Sequence, residues 1–154
     1  RYEIPEGKLA LELDDEALSS VYINVNVIMQ ELSSMGVELV LNHFGSGCAP
    51  VTSVLDLPVN TVKLERMFVW QLENNPACIA GGLIQIARDL DLRIIAEGVE
   101  TENQIKALNH YACTYQQGFY YAPTMEKDVL MKVLGSTLEE SRVTIEEEKL
   151  KMKR

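Results

Sequence analysis

Arg93-Ile94-Ile95-Ala96-Glu97-Gly98-Val99-Glu100-Thr101 is an apolar run that delivers two acidic side chains and a glycine into the start of a polar helix. A strand end that aims carboxylates into a loop is where α/β barrels place their chemistry. Working outward, short apolar runs alternate with longer helical patterns, which argues for parallel strands joined by crossover helices. The spacing predicts strands at 9–13, 37–41, 61–64, 92–96 and a short one near 114–115. Helices are predicted over 26–35, stopped by Gly36, over 76–89, over 101–111 with Thr101 as N-cap, and over 125–134 as a closing helix.

The chain has 154 residues, 47% of them hydrophobic, enough for one folded domain with a substantial core. It is shorter than the roughly 250 residues of a complete eight-fold barrel. It opens on Arg1, which suggests a piece of a longer protein. A net charge of −9 disfavours a nucleic-acid polymer as partner. No apolar run approaches the roughly 20 residues of a membrane span and no signal peptide is visible, so the expected location is cytoplasmic, with any anchor in sequence beyond this chain. Cys48, Cys78 and Cys113 are odd in number and far apart, and read as buried free thiols rather than a disulfide or metal set. Two regions are expected: 1–135 as the main domain and 136–154 as a charged helix or tail, solvated or docked on a partner. In that tail Glu146-Glu147-Glu148 precede Lys149, Lys151, Lys153 and Arg154.

Four further segments carry possible chemistry. In Leu9-Ala10-Leu11-Glu12-Leu13-Asp14-Asp15 the glutamate between leucines on a strand points opposite to them, toward a barrel mouth. Val40-Leu41-Asn42-His43-Phe44-Gly45-Ser46-Gly47 reads as a strand and a tight turn, with Phe44 plugging the apolar layer. In Leu57-Pro58-Val59-Asn60-Thr61-Val62-Lys63-Leu64-Glu65-Arg66-Met67-Phe68-Val69, a lysine between Val62 and Leu64 is not expected to face their apolar layer. Cys113-Thr114-Tyr115-Gln116-Gln117-Gly118-Phe119-Tyr120-Tyr121 ends in an aromatic cluster that would either pack or stack on a base.

Together with the opening stretch, these segments resemble, in order, the AEGVET, LELEITE, LDDFGTG, LPVDTLKIDRSFV and CDYVQGYLF motifs of EAL-type cyclic di-GMP phosphodiesterases. The resemblance runs from about Gly7 to Met125 and implies a partial (β/α) TIM-type barrel of about five parallel strands with crossover helices. It implies that Glu97 activates the attacking water, that Lys63 sits beside Glu12 as the active-site lysine, and that Gln117 contacts ligand. It places Glu12, Asn42, His43 and Glu100 at metal positions and gives Asp15 a loop-stabilising role. The family cofactor is Mg2+ or Mn2+, and the ligand is cyclic di-GMP.

The departures carry the functional expectation. Two metal-binding aspartates of the family are Asn42 and His43 here; asparagine loses the charge, and imidazole suits zinc better than hard ions. The EAL tripeptide, the arginine after it and the strand bearing an asparagine ligand have no match in this chain. Asn24 and Asn26 fall after the LELEITE match and are not assigned that role. Expected, then, is part of a degenerate, catalytically inactive EAL domain in a bacterial signalling protein, serving as nucleotide sensor or regulatory scaffold. The alternatives are an active phosphodiesterase when the full domain is present, and an interaction platform without nucleotide. Five strands would leave open edges, so the expected partners are a second copy or other domains of the parent.

Overall fold

The computed structural model describes residues 4–14, 25–47, 50–75 and 78–152. A five-stranded parallel sheet has the order β1-β2-β3-β4-β5, with β1 Ala10–Leu13, β2 Glu38–Leu41, β3 Thr61–Leu64, β4 Arg93–Ala96 and β5 Tyr115–Gln116. Strands that pair in sequence order, each with the next, are the layout of successive barrel staves. Around them lie α1 (Val25–Ser34), a 3-10 turn (Val51–Asp56), α2 (Arg66–Asn74), α3 (Ile79–Asp89), α4 (Glu102–His110), α5 (Lys127–Gly135) and α6 (Leu138–Met152).

Side chains alternate across each strand, so one face of the sheet receives Leu39, Leu41, Val62, Leu64, Ile94 and Ala96, all buried. Helices supply the matching layer through Phe68, Val69 and Leu72 of α2, Leu83, Ile84 and Ala87 of α3 and Leu108 of α4. Phe44 joins this core, as its place after β2 predicts. The connection from β2 to β3 is a loop with the 3-10 turn, and no α-helix occurs among its described residues.

The opposite face is polar at both ends. Toward the strand N-termini, Glu38 pairs with Arg93 and accepts a 3.2 Å bond from the Thr61 hydroxyl, while the Arg93 guanidinium lies 5.2 Å from the Tyr115 ring centroid. In a barrel this end serves stability, and chemistry sits at the other.

Element ends lie within three residues of the sequence expectation, and the strand at 61–64 matches it at both ends. Thr101 does cap α4: its hydroxyl accepts from the Gln104 backbone N–H, and the Gln104 side chain accepts from the Thr101 N–H. Absent from the sequence reading were α2 and the 3-10 turn. Asp15, Cys48, Asn24 and Pro76 lie outside the described residues. Cys113 is buried, and burial pushes its thiol up to about 11. Cys78 is only half-buried, at the N-cap position of α3 and packed against the margin of the core.

Candidate functional site

Lys63 is the centre of the site. β3 is buried on both faces, and Lys63 shares the polar face with Thr61, two residues earlier. Its ammonium stands 2.9 Å from Glu12 Oε1 and 2.5 Å from Glu97 Oε1, so a single side chain links the ends of β1, β3 and β4. The Lys63 side chain is 5% exposed, whereas Glu12 and Glu97 are 52% and 34% exposed. Burial by itself would lower the lysine's proton affinity, but the two carboxylates outweigh it and raise its pKa above the ordinary value. The ammonium is therefore fixed at neutral pH.

Backbone pairing holds the Glu97 loop in place. The N–H of Glu97 donates to Leu64 O at 2.9 Å, Gln117 N–H to Ala96 O at 2.8 Å, and Val99 N–H to Gln117 O at 3.0 Å. Gly98 turns the chain with φ of 70°, a conformation that side chains with a Cβ disfavour. Glu100 then pairs with Arg66 at 3.1 Å. An open hollow of about 280 Å³ is lined by Arg66, Glu97, Glu100, Gln117 and Phe119 among others.

The turn after β2 forms a separate cluster. His43 takes the left-handed region with φ of 59°, which places its ring against Glu65 through Nδ1 and 3.5 Å from Asp14 Oδ1 through Nε2. Asn42 donates to the same Asp14 oxygen at 3.0 Å. Its own Oδ1 is buried, with no hydrogen-bond partner among the described residues.

The structure thus joins Glu12, Lys63 and Glu97, ties Asn42 and His43 to Asp14 and Glu65, and engages Glu100 with Arg66. The partners Asp14, Glu65 and Arg66 had no assigned role in the sequence reading. The acids at 14 and 65 beside the histidine at 43 were the available signal. A hard divalent ion takes about six oxygen ligands. Here the carboxylates of Glu12 and Glu97 face Lys63, and both ring nitrogens of His43 face carboxylates. Among the described residues, no group of three or more His, Cys, Asp or Glu stands close enough to hold a metal. The described donor set does not fit the ion that the motif resemblance implies.

The EAL domain model matches residues 1–124, and the chain belongs to the EAL domain family. It is 31% identical over 133 residues to the bifunctional diguanylate cyclase/cyclic di-GMP phosphodiesterase MucR of Pseudomonas aeruginosa, covering 85% of this chain and 19% of that protein. It is 28% identical over 131 residues to the probable cyclic di-GMP phosphodiesterase PdeB of Escherichia coli, covering 85% of this chain and 25% of that one. Among solved structures, the PaMucR phosphodiesterase in complex with c-di-GMP superposes with a TM-score of 0.71 at 32% identity, over 80% of this chain and 51% of that one. The EAL domain of Mycobacterium smegmatis DcpA gives a TM-score of 0.79 at 28% identity, over 86% of this chain and 60% of that one. The five strands correspond to part of the TIM-like barrel of these EAL structures. The chain spans about a fifth to a quarter of these two curated relatives and between 51% and 60% of these two solved chains. Among the described residues, no helix is long and apolar enough to cross a membrane.

Proposed function

We propose that this chain is the C-terminal part of an EAL domain that senses cyclic di-GMP, or scaffolds its signalling, without hydrolysing it. One observation carries the reading: Lys63 remains seated between Glu12 and Glu97, while the Asn42-His43 pair is absorbed into contacts with Asp14 and Glu65. An ammonium has three N–H donors. Glu12 and Glu97 engage two, which leaves one for a phosphate oxygen. Arg66 and the Gln117 amide line the adjoining hollow and supply further donors.

Hydrolysis makes a different demand. In the family Mg2+ or Mn2+ generates the hydroxide and neutralises charge on the phosphoryl oxygens. Glu97 can accept a proton, but it supplies no positive charge to a phosphoryl group. The retained Glu97, Lys63 and Gln117 favour the second reading, an active phosphodiesterase, only if further ligands come from outside this chain. Leu9, just before β1, and Leu11, within it, are 41% and 37% exposed, and further strands of the parent or a second copy would cover them.

Calorimetric titration of the chain with cyclic di-GMP tests the sensing role. Binding is expected, with affinity falling at least about tenfold in Lys63→Met, the loss of one charge-assisted hydrogen bond. A folded wild-type chain that takes up no nucleotide would remove the sensing role and leave the scaffold.

A further inference from the structure

Helix α6 lies beyond the residues 1–124 that match the family, yet it returns to the loop that walls the site. Its start is fixed by a capping box, in which the Thr137 N–H donates to the Glu140 carboxylate at 2.9 Å and the Glu140 N–H donates to the Thr137 hydroxyl at 3.4 Å. Ser141 then donates to the Val133 carbonyl at 2.8 Å and ties α6 back to α5. Twelve residues after its cap the helix makes its one long-range polar contact among the described residues: Lys149 Nζ donates to the Tyr120 carbonyl at 2.7 Å. The ammonium is braced by Glu146 at 2.9 Å and lies 5.9 Å from the Tyr120 ring centroid.

Tyr120 is not a passive anchor. Its N–H donates to Val99 O at 3.0 Å, and Val99 sits between Glu97 and Glu100. The contact from α6 therefore runs through one residue into the loop that carries the site's acids. Between α6 and this loop is an open cleft of about 680 Å³, walled by Glu100, Phe119, Tyr120, Glu146, Lys149 and Met152. It shares Glu100 and Phe119 with the hollow at Glu97, so the two adjoin at these side chains, a trough in two parts whose outer wall is α6. A volume of this size is in the range that small-molecule ligands occupy, so α6 bounds the trough without filling it.

We propose that α6 is a clamp over the nucleotide trough, latched by Lys149 on the Tyr120 carbonyl, and that release of this latch sets how long the ligand stays. The proposal rests on the cyclic di-GMP reading above. A wall that closes after ligand entry acts mainly on dissociation, because related complexes differ more in off-rate than in on-rate.

The test compares wild-type chain with Lys149→Met, which keeps the apolar stem and removes the donors, and with Lys149→Arg, which restores a donor. Stopped-flow dissociation of cyclic di-GMP should accelerate about tenfold in Lys149→Met, the size of one lost hydrogen bond to a charged group, and should stay near wild type in Lys149→Arg. Backbone hydrogen exchange over 138–152 should be faster in Lys149→Met, with protection elsewhere unchanged. Wild type that binds nucleotide beside a Lys149→Met chain with the same off-rate overturns the clamp alone. Wild type that binds none overturns the cyclic di-GMP reading, and the clamp with it.

Discussion

Replacing Lys63 by methionine should cost about 2 kcal/mol of stability at pH 8 and less at about pH 11.5. Removing one partner of a fully buried ion pair costs about 3–5 kcal/mol, because a charge is left uncompensated. Solvent reaches Glu12 and Glu97 and screens part of that penalty. The pH dependence separates charge from packing. Without the ammonium, two carboxylates converge on one apolar stem and repel each other. In the wild type the lysine's raised pKa sets the profile: its contribution is complete below about pH 10.4, the ordinary lysine value, and disappears as pH climbs through the higher value of the folded state. Urea unfolding at the two pH values reads the effect. An equal loss at pH 8 and at about pH 11.5 would mean that Lys63 acts through packing alone.

Gly118→Ala should be still more damaging, by about 3 kcal/mol or more, at the upper end of overpacking penalties. A Cβ at this position would lie 2.2 Å from the Val99 carbonyl oxygen and 2.3 Å from its nitrogen. Those atoms are backbone, and both are already engaged: Val99 N–H donates to Gln117, and Val99 O accepts from Tyr120. Relief requires the β5 end to move away from the Glu97 loop. Gly82→Ala is the internal comparison, because nothing lies within 4 Å of its added Cβ. The expected order in chemical denaturation is no loss for Gly82→Ala and a large one for Gly118→Ala. A Gly118→Ala chain as stable as Gly82→Ala would mean that the packing of β5 against Val99 is looser than described.

Much of the sheet was legible in the sequence because parallel strands advertise themselves as short apolar runs between helical patterns. Alternation turned Lys63 to the face opposite Val62 and Leu64, whereas its place beside Glu12 came from the motif resemblance. Helix α2 was hidden for a local reason. Met67 and Trp70 are 50% and 60% exposed, so its apolar residues do not form a clean stripe, and its first turn merged with the motif around Lys63. The pairing of Glu38 with Arg93 spans 55 residues across the sheet and leaves no local pattern. The tail was readable as a helix, docked or solvated, but its long-range polar contact is the carbonyl of Tyr120, and a backbone acceptor has no signature in a sequence. The roles of Asp14 and Glu65 around His43 depend on a left-handed turn that only the folded backbone reveals.

Incubation of the chain with cyclic di-GMP and Mg2+ or Mn2+, followed by chromatography for the linear dinucleotide, bears most directly on the proposal that the chain does not hydrolyse the nucleotide. The Glu97→Ala chain under the same conditions sets the background. With the carboxylates of Glu12 and Glu97 turned on Lys63, and Asn42 and His43 held by Asp14 and Glu65, no product above that background is expected. Metal-dependent turnover above the Glu97→Ala chain would contradict the account.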